Sequence, residues 1–581
     1  MHQTTCPLDC FDGCCIVVGD DKSLKGNKEH PITKGFLCHH LNHYHSFERI
    51  QQPSLNNQPI FLEEALATLI QKLENTDAAK TLYFKGSGNL GVMQSVTKPF
   101  FAKRGAILAS GSLCDEAGDV GATQGRGANL CLSPLHVNQS EVVILWGRNP
   151  SVTNSHMLPS LKGKTLIVID PIKIDLAQNA ALHIQIKPRA DIYLAMLLAR
   201  VAYMEQMEDT EFIEKRCTNF KYFIDFINGI PMRTLMDKCG TSLDDVGKLL
   251  ALIAGKKVSI LVGIGVQKYS FGHSVLRSID SFAALLGLFG KEGCGVGYLS
   301  NSGFGFTIPF KVKAKTEVMP TVDFGKFELV FIQGGNPMEQ MPCTPRVKDG
   351  LEKAKFVVYF GLHENETSKM ANLVIPSKSF FEKDDLKLSY GHEFIGKMPK
   401  AYESDFGISE YDLCAKLMQH FNFEKLQSEQ EIIDSVIDSN SLKKDGFLIS
   451  KTYEHIPYEK EFYTKSGKFE FFDEFDDEFD DTQEGFYLLA AKQNKSLNSQ
   501  FIKDDYLYVP LHVGLNKDDK VMLSNQYGEC VYTVCPSDKL RDDCVMLYSG
   551  AKNANMLTPH KASQEGDCAI YQEVKVRMEK I

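Results

Sequence analysis

Two hydrophobic textures divide the chain. From Glu63 to Gln185, amphipathic helical stretches alternate with short runs rich in β-branched residues: TLYF at Thr81, VVILW at Val142 and TLIVID at Thr165. The runs return as VSILVGIGV at Val258, ELVFIQGGNP at Glu328 and FVVYFGL at Phe356. Short, continuously apolar runs set between helical patterns predict the buried strands of a mostly parallel sheet, and so an α/β fold class. These strands run into Gly, Asn or Asp, and ligands of such sheets sit beyond the carboxyl ends of the strands. Beyond Gly485 the pattern becomes short strands broken by turn residues, as in DDKVMLSNQYGECVYTVCPS from Asp518. That predicts a β-barrel-like C-terminal domain. No tandem repeat of solenoid length is present, although two sets of equivalent strands point to an old duplication. Between the textures lies EFFDEFDDEFDDTQ, from Glu470 to Gln483, expected to be a solvated linker rather than an acidic docking site.

Composition narrows the class. At 581 residues, 43% of them apolar, the chain is long enough for several cores. Its 74 acidic and 64 basic side chains leave a net charge of -10, which argues against a nucleic-acid surface and a DNA or RNA partner. The opening MHQTTCPLDCFDGCC has neither a basic segment followed by an apolar one nor a twin-arginine signal, so export by a cleaved peptide is not expected. Apolar runs such as SFAALLGLFG from Ser281 to Gly290 reach about half of the roughly 20 residues needed to span a bilayer. Direct membrane insertion is therefore not expected. Sixteen cysteines, most of them isolated, read as reduced thiols of a cytoplasmic protein rather than as a disulfide scaffold.

One group of cysteines stands apart. Cys6, Cys10 and Cys14 follow a C-x3-C-x3-C spacing, and Cys38 follows in GFLCHH after twenty-three intervening residues. Three close thiolates and one distant thiolate can converge on a [4Fe-4S] cubane, whose four irons each take one soft ligand. Zinc held by four cysteines is the competing reading, but such sites usually show two CxxC pairs. Cys15 follows Cys14 directly and points the other way in an extended backbone, so it is expected to be a buried bystander.

In these and further motifs the chain is similar to the DMSO reductase and formate dehydrogenase superfamily of molybdopterin oxidoreductases. The resemblance runs in order over nearly the whole chain. CPLDCFDGC and GFLC are followed by GSGNLGVMQ at Gly86, GSLCDEAGDVGATQGRG at Gly111, WGRNPSVTNSH at Trp146 and IVIDP at Ile167. GIGVQKYSFGH at Gly263, IQGGNP at Ile332, HENETSKMANLVIP at His363, EKDDLKLSYGH at Glu382, TKSGKFEFF at Thr464 and NMLT at Asn555 complete the series. The resemblance implies a multi-domain molybdopterin oxidoreductase fold: an N-terminal [4Fe-4S]-binding domain over 1–55, α/β domains over 56–480 with two doubly wound dinucleotide-binding units, and a dinucleotide-binding β-barrel over 485–581. It also implies a Mo- or W-bis(molybdopterin guanine dinucleotide) cofactor. Gly147, Asn149, Thr153, Asp170 and Asp191 then belong to one dinucleotide site, Gly334, Asn336, Glu366, Thr367 and Asp385 to the other, and Asn555 approaches from the barrel. Gly and Asn after a strand let backbone amides reach a pyrophosphate, and an acidic residue farther on can read guanine donors. The plainer reading of each is a turn glycine or a helix cap.

By the same resemblance GSLCDEAG is the loop that donates the metal's protein ligand, which makes Cys114 the ligand, a soft donor suited to a metal already held by sulfur. Asp115 is the second candidate, and a buried structural cysteine is the alternative. Two departures stand out. Formate dehydrogenases tend to place His after the ligand residue, where this chain has Asp115, so formate is not the expected substrate. Many members carry Lys two residues after the fourth cluster cysteine, where this chain has His40, a group that titrates near neutrality. Asp115, Glu116, His156 and His392 are candidate proton handlers, each also readable as structural. The implied activity is two-electron redox chemistry on a small molecule, with electrons passing singly through the cluster to a ferredoxin-like protein or subunit. Two alternatives are a non-redox hydratase on the same scaffold and a metal-free electron-transfer subunit.

Overall fold

A computed structural model describes residues 2–299, 306–477, 479 and 483–581. Two largely parallel sheets form its centre, and one is inserted into the other along the chain. The first has eight strands in the order Thr316–Val318, Ile107–Ser110, Thr81–Lys85, Leu329–Gln333, Phe356–Gly361, Leu373–Pro376, Ser54–Leu55 and Gln58–Pro59. The last two form an antiparallel edge. The second sheet has five parallel strands in the order Leu182–Ile184, Thr165–Ile169, Val142–Trp146, Val258–Val262 and Gly295–Tyr298. Every residue of Val142–Trp146 and of Leu329–Gln333 is buried. In Val142–Trp146, Val142, Ile144 and Trp146 enter one core with helices Asp191–Met204 and Gly272–Leu285, while Val143 and Leu145 enter another on the opposite face. Covering both faces is why these strands read as continuous apolar runs.

Both sheets reverse direction at an internal point. The chain lays strands outward from Val142–Trp146, then returns to Val258–Val262 on its other side; Thr81–Lys85 and Leu329–Gln333 are related in the same way. At each such switch point a ligand crevice is expected. Each is also a crossing of glycines. A Cβ on Gly263 would lie 1.7 Å from the Gly147 carbonyl oxygen, and one on Gly86 would lie 2.4 Å from that of Gly334, so neither position admits a side chain.

The N-terminal residues form a three-stranded antiparallel sheet, His2–Thr5, Cys15–Val18 and Leu24–Gly26. It packs against a distant four-stranded sheet that contains Asp385–Leu388 and Phe394–Met398, where Thr5 Oγ1 donates to the Lys397 carbonyl at 2.9 Å. At the other end, Phe486–Ala491, Cys544–Tyr548, Leu507–Pro510, Gly528–Ser537, Lys520–Asn525 and Lys575–Lys580 close a six-stranded barrel, as the turn-rich texture predicts.

The acidic run departs from the expected linker. Phe469, Phe471 and Phe472 are fully buried in the core of the inserted unit, and Phe471 stacks on Phe223 with ring centroids 5.2 Å apart. Asp477 takes 2.6 and 2.8 Å hydrogen bonds from Arg189 and Tyr193. The phenylalanines turn inward, and burial of aromatic surface outweighs the charge density that suggested a solvated strap. Positions 478 and 480–482 of the run lie outside the described residues. No helix among the described residues is long and apolar enough to cross a membrane.

Candidate cofactor and cluster site

The loop from Cys6 to Cys14 is closed by a hydrogen bond from the Cys6 amide to the Cys14 carbonyl at 2.9 Å, and inside it the Cys10 amide donates to Leu8 at 2.7 Å. This loop and the start of helix His39–Asn42 bring Cys6, Cys10, Cys14 and Cys38 together. Burial pushes the thiols of Cys6, Cys10 and Cys14 far up, and members of the same four push them further: Cys38 acts on all three, Cys6 on Cys10 and Cys14, and Cys10 on Cys14. Thiols raised in this way become thiolates near neutral pH only beside a compensating cation. Among the described residues no three His, Cys, Asp or Glu are arranged to hold one metal ion. A zinc ion needs all four sulfurs about 2.3 Å from itself; a cubane spreads them over four irons. Cys15 lies outside the group, its amide bonded to Thr33 Oγ1 and its sulfur accepting from Asn27.

Asp12 organises the back of this loop. Its Oδ2 lies 2.9 Å from Nδ1 of His156, whose Nε2 lies 3.0 Å from the Phe36 carbonyl. Burial opposes a charge on His156, and these acceptors outweigh it, so its pKa is raised. The Asp12 carbonyl meets Nε2 of His392 at 2.9 Å, and burial holds that imidazole down at about 3. Both histidines named as proton handlers are thus bonded to the cysteine loop. His40 lies with Nδ1 3.9 Å from Cys38 Sγ, and burial lowers its pKa.

The loop carrying Cys114 is tied on every side except at its thiol. Ser112 Oγ accepts the amides of Cys114 and Asp115 at 2.9 and 3.2 Å and donates to Asp115 Oδ1 at 2.9 Å. Gln267 Nε2 donates to the Cys114 carbonyl, Lys268 Nζ to that of Leu113, and Tyr298 to that of Asp115, each at 2.8 Å. Ser112 also pairs with Cys568 of the C-terminal domain. Cys114 is left accessible to solvent, although the protein surrounding it, and then Asp115, raise its thiol pKa while Lys268 lowers it. Burial and the charges of Asp115, Asp119 and Asp567 raise Glu116 to about 7. Gln267 and Lys268 were not singled out from the sequence, although both sit in the GIGVQKYSFGH motif.

The two dinucleotide sets are built alike. Gly147 and Gly334 have φ of 57° and 56°. Asn149 and Asn336 follow as N-caps of Pro150–Thr153 and Pro337–Gln340, each helix opening on proline. In the first set Thr153 Oγ1 donates to the Asn149 carbonyl at 3.1 Å. Asp170 ends strand Thr165–Ile169 and Asp191 opens its helix; burial raises both carboxyls to about 7, and Asp191 adds to the rise at Asp170.

The second set opens on a cleft at the switch point between Thr81–Lys85 and Leu329–Gln333. Gly334 and Asn336 line it. Thr367 braces Asn336, donating to its Oδ1 at 2.8 Å. Glu366 is instead exposed and paired with Lys369 at 2.7 Å. Asp385 is buried, accepts the Met93 amide at 2.8 Å and is raised to about 6 by burial. Asn555 donates to the Glu339 carbonyl at 2.8 Å and so fastens the barrel to helix Pro337–Gln340. Lys85, Lys378, Lys383 and Lys503, none of them named from the sequence, also line the cleft. Burial brings Lys85 down to about 8, while Lys383 pairs with Glu410 and Lys503 with Glu339. Carboxylates thus offset two of the four, and Lys85 and Lys378, at the carboxyl end of a parallel sheet, suit a polyanionic nucleotide.

The profile of the molybdopterin oxidoreductase family matches residues 58–407. The chain is 28% identical to the probable oxidoreductase YyaE of Bacillus subtilis (strain 168), over 81% of this chain and 78% of that protein. It is 24% identical to the F420-dependent formate dehydrogenase subunit alpha of Methanocaldococcus jannaschii, over 66% and 64% of the two. Among solved structures, acetylene hydratase from Pelobacter acetylenicus superposes over 100% of both chains with a TM-score of 0.78 at 14% identity, a likeness of fold.

Proposed function

Because the chain belongs to the molybdopterin oxidoreductase family, matched over residues 58–407, we propose that it is a redox enzyme that carries Mo- or W-bis(molybdopterin guanine dinucleotide) and one [4Fe-4S] cluster. Cys6, Cys10, Cys14 and Cys38 hold the cluster, and Cys114 is the protein ligand of the metal. The observation that carries this reading is the gathering of four mutually repelling thiols in the same molecule as two matched glycine crossings at sheet switch points. The bound cofactor supplies the two-electron chemistry on a small substrate. The chain supplies the rest. Gly147, Asn149, Thr153, Asp170 and Asp191 seat one dinucleotide; Gly334 and Asn336, with Lys85 and Lys378, seat the other, and Thr367 and Asn555 brace its wall. Gln267, Lys268 and Tyr298 fix the backbone carbonyls of the loop that carries the exposed Cys114. Glu116, at about 7, can take or give a proton near neutral pH beside that loop. Electrons pass to a ferredoxin-like carrier or subunit. All sixteen cysteines are free thiols, which fits the reducing cytoplasm proposed as its location.

Hydration without net electron transfer is the second reading, supported by the fold match to acetylene hydratase. Anaerobically purified protein, analysed for Mo, W and Fe and for released pterin guanine dinucleotide, tests the cofactor reading. About four irons and two pterins per metal are expected; a protein with neither iron nor pterin overturns both readings. Turnover that requires an electron acceptor or donor separates the redox reading from the hydratase.

A further inference from the structure

Strand Asp385–Leu388 carries a lysine where a neutral side chain would be expected. Lys387 is 1% exposed, and its Nζ has no hydrogen-bond partner among the described residues. A buried ammonium without a partner is costly unless an anion faces it. Its surroundings show where that anion lies. Lys387 pairs across the backbone with Gly91, Leu8 pairs with Asn89, and the Leu90 amide donates to Pro7 at 2.7 Å, so segment 89–91 ties the lysine strand to the Cys6–Cys10 loop. Burial lowers the Lys387 pKa, and Cys10, Asp9, Cys6 and Asp385, the charged groups around it, oppose that fall. Its ammonium also sits 5.6 Å from the centroid of Tyr390, a ring within electrostatic reach of both Cys10 and Cys114. Lys387 therefore stands beside the Cys6–Cys10 loop, on the strand that leads to Tyr390.

Arg148 is a second cation within reach of Cys10, and its Nη2 donates to Asn154 Oδ1 at 2.6 Å; Lys387 differs from it in standing on the strand that segment 89–91 ties to the Cys6–Cys10 loop.

We propose that the Lys387 ammonium is a fixed counter-charge of the cluster on Cys6, Cys10, Cys14 and Cys38, where it raises the cluster's reduction potential. The inference rests on the cluster reading above. Reduction adds one electron to the cluster, and a nearby fixed cation stabilises that added negative charge in a low-dielectric interior. Lys387 is a positioning residue in this sense: it sets the energy of the electron without bonding to the cluster.

Redox titration followed by low-temperature EPR, on holoprotein carrying Lys387→Met, Lys387→Gln or Lys387→Arg, tests it. With iron content unchanged, Met and Gln are expected to lower the midpoint by at least the equivalent of a tenfold change in the one-electron equilibrium, about 59 mV. Arg is expected to stay close to the parent protein. An unchanged midpoint in Met or Gln with full iron overturns the proposal, because a purely structural lysine would not move the potential. Loss of iron in Met and Gln but not in Arg supports it, whereas loss in all three assigns the site to shape and overturns it. Absence of iron in the unsubstituted protein would instead sink the cluster reading, a separate outcome.

Discussion

The indole N–H of Trp146 donates to Oδ1 of Asp191 at 2.8 Å. It joins the last residue of a central strand to the first residue of helix Asp191–Met204. The contact holds the buried carboxyl at the crevice where a guanine donor would meet it, and it sets up a measurable pH effect. Asp170 and Asp191 are raised to about 7 in the folded protein, against an ordinary aspartate near 3.9. Between these values the folded chain binds more protons than the unfolded chain. Its stability must therefore fall as pH rises from about 4 to about 7 and level off above. Urea unfolding of cofactor-free protein across that range should show the fall, and Asp170→Asn should remove part of it, on the order of a few kcal/mol. An Asp170→Asn variant with the parent's slope would refute the assignment.

Alanine at Cys6, Cys10, Cys14 or Cys38 is expected to abolish the cluster, while Cys15→Ala keeps it, since Cys15 is held apart by Thr33 and Asn27. Iron content and the EPR signal of the reduced protein decide the matter. Loss of the signal in Cys15→Ala with Cys14→Ala unaffected would reverse the two roles.

For Cys114, tethered through its backbone and exposed to solvent, substitution should change the metal's coordination rather than its occupancy. In Cys114→Ala, metal and pterin content stay near the parent level, activity is lost, and X-ray absorption at the metal edge shows one sulfur scatterer fewer. An unchanged sulfur count with full activity would return Cys114 to a structural role and move suspicion to Asp115.

Arg126 and Asp280 form an ion pair whose two side chains are wholly buried, with Nε 2.8 Å from Oδ2. Asp280→Ala leaves the guanidinium in the core without its carboxylate, which should cost about 3–5 kcal/mol. Chemical denaturation reads this directly; a change below about 1 kcal/mol would mean that the neighbouring Val296 carbonyl and Tyr458 hydroxyl suffice for Arg126.

Removing the Arg189 side chain deletes the bonds to Asp477 and Glu573 and the contact with the Phe479 ring at 4.1 Å. Arg189→Ala should therefore speed limited proteolysis within 473–483, while Phe469, Phe471 and Phe472 keep the upstream part anchored. Equal cleavage rates in parent and variant would show that the aromatic residues alone hold the strap.

Much of this protein was legible in its residue order because the relevant signals are local. A strand covered on both faces must be apolar throughout, as in Val142–Trp146. A chain that turns sharply after such a strand needs glycine, as at Gly147 and Gly334, and C-x3-C-x3-C spacing brings three thiols to one loop. These features follow from backbone geometry within a few residues. What tertiary structure alone decided depends on segments far apart in the chain. Asp385 and Glu366 look alike as acidic candidates beyond a strand, yet one is buried beneath Gly91 and the other reaches solvent. The phenylalanines of the acidic run turn inward because helices Phe220–Gly229 and Gly272–Leu285 offer them a core. Lys85 and Lys387 acquire their places only when the first sheet closes around the inserted unit and the N-terminal loop docks on strand Asp385–Leu388. A lysine in a sequence is a solvated charge by default; burial against thiols or beside a nucleotide cleft is a property of the packed molecule, fixed by which surfaces exclude water together.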